Sequence, residues 1–152
     1  MAESKQLGLS RVRDYMTPGP QTLDIRNTLL DAVLMLRRLE LRHIPIMEDG
    51  RLVGVLTDRD VGRYAPSMLM ALSPQDYNRV FEDTPIPKVM TRNLYSTTPE
   101  APLAEAVNLL YNHKVGCLLV LDGDRLVGII TVADMLRALH DLIGNPESSE
   151  QA

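Results

Sequence analysis

The chain has very little of what many functions require. In 152 residues it holds one cysteine, Cys117, one phenylalanine, Phe81, and no tryptophan. A lone cysteine forms no internal disulfide, so nothing calls for an oxidising compartment. With aromatics at 4%, platforms for stacking unpaired bases are scarce. No apolar run approaches the roughly 18 residues of a transmembrane helix, and residues 1–10 lack the apolar stretch of a secretory signal. The net charge of −4 is a weak argument against a nucleic-acid or anionic-membrane surface. There is no G-x-x-x-x-G-K phosphate loop and no nucleophile elbow. His43, His113 and His140 have no metal-ligand spacing with Cys117, which falls in an apolar run and reads as a small core residue. No catalytic constellation emerges. The expectation is a cytoplasmic, non-enzymatic protein with no metal, nucleic-acid or membrane partner.

The chain does have a repeat. Shifting residues 15–64 by 74 positions lays them on 89–138 without a gap, with 13 identical pairs. Met16/Met90 and Thr17/Thr91 open the two copies. Leu29/Leu103, Ala32/Ala106, Val33/Val107 and Leu36/Leu110 follow at the i, i+3, i+4, i+7 spacing of one helix face. Arg51/Arg125, Leu52/Leu126, Val53/Val127 and Gly54/Gly128 lead into Thr57/Thr131, Asp60/Asp134 and Arg63/Arg137. Identities that select one helix face and one strand are what two copies of one fold share. At this length a chain buries roughly 68–70% of its unfolded surface, enough for a core without staples.

Local signals fill in each copy. Asn27 or Thr28 can cap the first long helix, with Asp31 in its first turn. The apolar run 43–47, the Asp49-Gly50 turn and the run 52–57 read as a hairpin of two buried strands. A helix should start after Thr57. Pro66 interrupts it, and Ser73-Pro74-Gln75-Asp76 starts another over 74–82. The last helix is expected over 132–143, with Met135, Leu136, Leu139, Leu142 and Ile143 on one side and Gly144 as its cap. Each copy is a β-α-β-β-α unit, and the fold class is α+β, with small mixed sheets flanked by helices. The divisions expected are repeat 1 at 11–72, a helical spacer at 73–87 and repeat 2 at 88–144, with flexible tails at 1–10 and 145–152.

In each copy a strand ends in Thr and a helix begins at once. The helix start offers free N–H groups to a phosphate, Thr57 or Thr131 adds a hydroxyl, and Asp60 or Asp134 can accept both hydroxyls of a ribose. Gly54 and Gly128 leave room for a close neighbour, backbone or ligand. Thr-x-x-Asp is equally an ordinary capping box that needs no ligand, and by spacing alone that is the simpler reading. Asp58, in the first turn, argues mildly against an anion there. Arg37, Arg38, Arg42, Arg59 and Arg63 crowd the first motif, as a solvated face or an anion site.

Met-Thr, an amphipathic helix, two strands joined by an Asp-Gly turn, then Gly-h-h-Thr-x-x-Asp, all duplicated, resembles a CBS-domain pair (Bateman module) over about residues 11–144. The spacer with Ser73-Pro74-Gln75-Asp76-Tyr77 is similar to that of stand-alone AcuB-like proteins. The resemblance implies pseudo-twofold repeats and two clefts for AMP, ADP or ATP, or S-adenosylmethionine. It sets Thr57, Arg59 and Asp60 opposite Thr91, Ser96, Gly116 and Cys117. Thr131 and Asp134 then lie opposite Thr17, Thr22, Arg42 and His43. It further implies a homodimer built on the helices after Thr57 and Thr131, and an unknown protein target. Arg59 is matched by Ala133 and Pro45 by Leu119, so unequal sites are expected, the first favouring more highly phosphorylated ligands. The competing reading is a structural dimerisation or interaction module with no nucleotide ligand.

Overall fold

The computed structural model describes residues 8–64 and 73–144. The break expected at Pro66 lies outside the described residues, as do residues 1–7 of the tail expected over 1–10 and the whole of the tail expected over 145–152. In chain order the elements are α1 (Val12–Tyr15), β1 (Thr17–Pro18), β2 (Leu23–Asp24), α2 (Leu29–Arg38), β3 (His43–Glu48), β4 (Arg51–Thr57), α3 (Asp58–Tyr64), α4 (Pro74–Asp83), a 3-10 turn at Ile86–Lys88, β5 (Ser96–Thr97), α5 (Leu103–His113), β6 (Cys117–Asp122), β7 (Arg125–Thr131) and α6 (Val132–Ile143). They form two compact units. The central unit is Pro20–Leu94, and the terminal unit joins Met1–Gly19 to Tyr95–Ala152. The architecture is α+β, with one small mixed sheet in each unit.

In the central unit the sheet order is β2-β3-β4, with β2 parallel and β4 antiparallel to β3. The β3–β4 turn holds Asp49 at φ 50° and Gly50 at φ 78°, the pair of positive angles that a type I′ hairpin requires. Thr28 caps α2. Its hydroxyl accepts from Asp31 N–H at 3.2 Å while the Asp31 carboxylate accepts from Thr28 N–H at 3.0 Å. The helix buries Leu29, Ala32, Val33 and Leu36 against Ile44, Ile46 and Leu56. Ser73 caps α4 by accepting from Asp76 N–H at 3.2 Å, with Pro74 at the first helical position. That helix adds Phe81, whose ring lies 4.6 Å from Tyr77, to the same core.

The terminal unit has sheet order β1-β7-β6-β5 and a core of Val12, Leu103, Ala106, Leu110, Leu118, Val120, Ile130 and Ala138. Three of the four repeated helix-face residues are buried here, but Val107 is 42% exposed where its counterpart Val33 is 6% exposed. The expectation that both helices bury all four is corrected: α4 packs against α2, and nothing among the described residues does the same for α5.

Compact units and sequence repeats divide the chain differently, because the repeats exchange their lead-in segments. Thr91, at the head of the second repeat, pairs with Val55 in the central unit (N–H···O 2.8 and 3.0 Å). Thr17, at the head of the first, pairs with Ile129 in the terminal unit. The carbonyl of Thr84 accepts from Leu29 N–H at 3.2 Å, and that of the equivalent Ser10 from Leu103 N–H at 2.9 Å. The repeated glycines make this possible. A Cβ on Gly54 would stand 2.6 Å from Met90 Sδ, and one on Gly128 would stand 2.7 Å from Met16 Sδ and 3.1 Å from the Thr17 carbonyl. The close neighbour expected there is the exchanged methionine.

Pro45 supplies a smaller difference. It sits inside β3 and has no N–H, whereas Leu119 at the same place in β6 donates to the Tyr95 carbonyl at 3.1 Å. Pairing with the lead strand therefore starts at Ser96 in the terminal unit but only at Leu23 in the central one.

A candidate ligand site in each unit

In the central unit, β4 delivers Thr57 to the sheet's end and α3 begins at the next residue. Asp60 N–H donates to Thr57 Oγ1 at 3.0 Å, and Thr57 N–H to Asp60 Oδ2 at 3.1 Å, so the capping box closes. The exchanged lead-in adds Thr91, whose hydroxyl donates to both Asp60 oxygens at 3.2 Å. His43 lies across the ladder from Thr57, and Asp58 N–H donates to the Arg42 carbonyl at 3.0 Å. Thr22 is exposed just before β2. Thr57, Asp60, Thr91, Arg42 and His43 thus lie around one end of the sheet.

Burial holds the His43 imidazole below its usual pKa. Asp58 and Asp60 oppose that shift, while Arg42 and Arg59 add to it. Arg42, Arg59 and Arg63 are exposed, and none has a side-chain partner among the described residues. A capped threonine, a carboxylate with lone pairs to spare and unpaired guanidinium groups can together receive a diol and an anion.

The terminal unit repeats the arrangement with different chemistry. Thr131 N–H donates to Asp134 Oδ2 at 2.8 Å, and Thr131 Oγ1 lies 3.2 Å from the same oxygen. Cys117 pairs across the ladder with Thr131, Val132 N–H donates to the Gly116 carbonyl at 3.1 Å, and exposed Ser96 begins β5. Cys117 is half-buried in a strand and in no disulfide. Thr17 lies beside β7 in β1, and its hydroxyl is not on Asp134. Instead Arg137 Nη2 stands 3.5 Å from Asp134 Oδ1 and donates to the Tyr15 carbonyl at 2.6 Å. Its guanidinium carbon is 5.3 Å from the centre of the Tyr15 ring. Tyr15 in turn donates its hydroxyl to Asp141 Oδ2 at 3.0 Å, and burial with that carboxylate raises the phenol's pKa.

Of the residues set opposite Thr57 by the resemblance, Thr91 shares its unit, whereas Ser96, Gly116 and Cys117 belong to the other. Of those set opposite Thr131, Thr17 shares its unit, and Thr22, Arg42 and His43 do not. Local sequence signals missed the Arg137–Tyr15 clasp, since Tyr15 and Arg137 lie 122 residues apart. The asymmetry of Tyr15 and Val89 in the repeat alignment was its one trace.

Comparison with known proteins gives a consistent result. The CBS domain family matches residues 12–66 and 82–141. The CBS domain-containing protein YhcV of Bacillus subtilis is 33% identical over 95% of this chain and 91% of its own length. A putative acetoin utilization protein (AcuB) from Vibrio cholerae superposes with a TM-score of 0.72 at 32% identity, covering 95% of this chain and 98% of its own. CBSX2, solved in complex with AMP, superposes with a TM-score of 0.69 at 25% identity, covering 85% and 95%.

Proposed function

The chain belongs to the CBS-domain family, and from that premise we propose that it is a non-catalytic regulatory module binding adenosyl ligands. Each unit would hold one, with AMP, ADP or ATP as ligands and S-adenosylmethionine as a further candidate. The observation that carries this reading is the central site. Arg42 and Arg59 stand unpaired among the described residues, beside the Thr57–Asp60–Thr91 cluster. That set supplies acceptors for ribose and cations for phosphate. The AMP complex of CBSX2 supports the ligand class. In the terminal unit Ala133 replaces Arg59, so the central site would favour more highly phosphorylated ligands. Ligand binding would shift a conformational equilibrium that a protein target reads in the cytoplasm.

A homodimer through α6 completes the proposal. Val132, Leu136, Leu139 and Ile143 recur at spacings of four, three and four and are exposed, an apolar stripe that a second copy would cover. Among its described residues α3 has no exposed large apolar side chain, so α6 carries the expectation alone.

One observation favours the competing structural reading: both Thr-x-x-Asp pairs are already satisfied as helix caps. Thermal unfolding with a panel of AMP, ADP, ATP and S-adenosylmethionine decides between them. A ligand at 100 times its dissociation constant adds about 2.7 kcal/mol of stability. No shift with any member of the panel would leave the structural reading standing.

A further inference from the structure

The two units hold the same aspartate by different means. Asp60 meets a neutral hydroxyl, from Thr91, shared between its two oxygens at 3.2 Å. Each commits Oδ2 to its own threonine N–H, at 3.1 Å for Asp60 and 2.8 Å for Asp134, but Asp134 turns Oδ1 toward the Arg137 guanidinium at 3.5 Å. The arginine is common to both repeats, as Arg63 and Arg137, so its presence does not account for the difference. What fixes Arg137 is Tyr15, through a carbonyl at 2.6 Å and a ring face at 5.3 Å. The phenol is itself tied to Asp141 at 3.0 Å, so α6 and the lead-in segment hold the guanidinium from two sides. The first repeat has Val89 in the place of Tyr15, and Arg63 has no side-chain partner among the described residues.

A vicinal diol is recognised by donating two hydrogen bonds to one carboxylate. Beyond the threonine N–H that both aspartates accept, the competitor around Asp60 is one long, neutral hydroxyl contact, which rotates away at little cost. Around Asp134 the competitor is a cation held in place by a second partner, and Oδ1 must be shared with it or released. Asp134 is 16% exposed at its side chain and Arg137 55%, so solvent screens the pair and the penalty is modest rather than prohibitive.

We infer that Arg137, positioned by Tyr15, is a specificity-determining residue that weakens diol recognition at Asp134, leaving the central unit the tighter ribose site. This rests on the adenosyl-binding reading above. The test is calorimetric titration of AMP and 2′-deoxy-AMP into the full chain carrying Asp60→Asn, which isolates the terminal site, with and without Arg137→Ala. Removing Arg137 should tighten AMP about threefold, within the range of exposed ion pairs, and leave 2′-deoxy-AMP unchanged. The ratio between the two ligands therefore widens about threefold, a readout that a merely structural loss does not move. An unchanged ratio, or weaker AMP binding, overturns the inference while the adenosyl reading survives. AMP binding by no form of the protein, wild type included, overturns both. Should Arg137→Ala lose its cooperative melting transition, Arg137→Gln keeps the stem without the charge, and the same change in ratio is expected of it.

Discussion

Leu29, Ala32 and Leu36 in the central unit and Leu103, Ala106 and Leu110 in the terminal unit bury the same face of equivalent helices, but what covers those helices differs. Over α2 the spacer helix α4 brings Phe81 and Tyr77, so Val33 is covered. Over α5 no described element plays that part, and Val107 and Tyr111 face outward. The exchanged lead-in makes a true strand, β1, on the terminal sheet, but a single bridge at Thr91 on the central one. Duplication has preserved what each copy does to itself. What each copy receives from elsewhere in the chain has diverged, and the groups around the two aspartates diverge with it.

The largest test of that contrast is Phe81→Ala. Emptying the place of a fully buried ring costs about 3–5 kcal/mol, and the loss should fall on the central unit alone. Hydrogen exchange checks it: amides of β3 and β4 should lose far more protection than those of β6 and β7. Next come the paired glycines, where overpacking costs about 1–3 kcal/mol. Gly128→Ala should be the worse, because its Cβ meets the Thr17 backbone carbonyl, while at Gly54 only the flexible Met90 side chain must move. Thermal melts of the two variants rank them, and the reverse order would contradict this packing of the exchanged segments.

A smaller effect has the opposite sign. Thr97 occupies the place of Leu23, is buried, and its hydroxyl has no hydrogen-bond partner among the described residues. Replacing it with isosteric Val removes an orphaned polar atom and should stabilise the terminal unit by about 1 kcal/mol, read as a higher Tm. The smallest effect depends on pH. His43 has a folded pKa depressed by burial below its ordinary 6.5. The unfolded chain therefore binds the extra proton first, and stability is full above that value and falls as the pH drops below it. His43→Cys, which copies the residue of the terminal unit, should flatten the loss measured by denaturant unfolding between pH 7 and 5.5. An unchanged slope would show that His43 is not its source.

Local chemistry was legible in the sequence because it needs only neighbours. The Asp49-Gly50 turn, the Thr28 and Ser73 caps and the ends of α6 follow from spacing and residue type, and they stand where expected. So do Thr57–Asp60 and Thr131–Asp134 as closed capping boxes, the reading spacing favoured. Illegible were features whose partners are remote. The exchange of lead-in segments, Thr91 on Asp60 and Tyr15 on Arg137 join residues 31 and 122 apart, and no local pattern encodes them. Val107 misled for the same reason, since periodicity marks a face as apolar without saying what covers it. The repeat itself bridged part of this gap, because each departure between copies, Val89 for Tyr15 or Leu119 for Pro45, marks a place where the surroundings changed.

Central to the proposed function is that each unit presents its aspartate to an adenosyl ligand, the central one more readily. AMP titrated calorimetrically into the wild-type chain, Asp60→Ala and Asp134→Ala measures this directly. Binding by the wild type is expected, with a large loss of affinity for Asp60→Ala and a smaller one for Asp134→Ala. Equal losses would contradict the asymmetry, and no binding by the folded wild type would contradict the function itself.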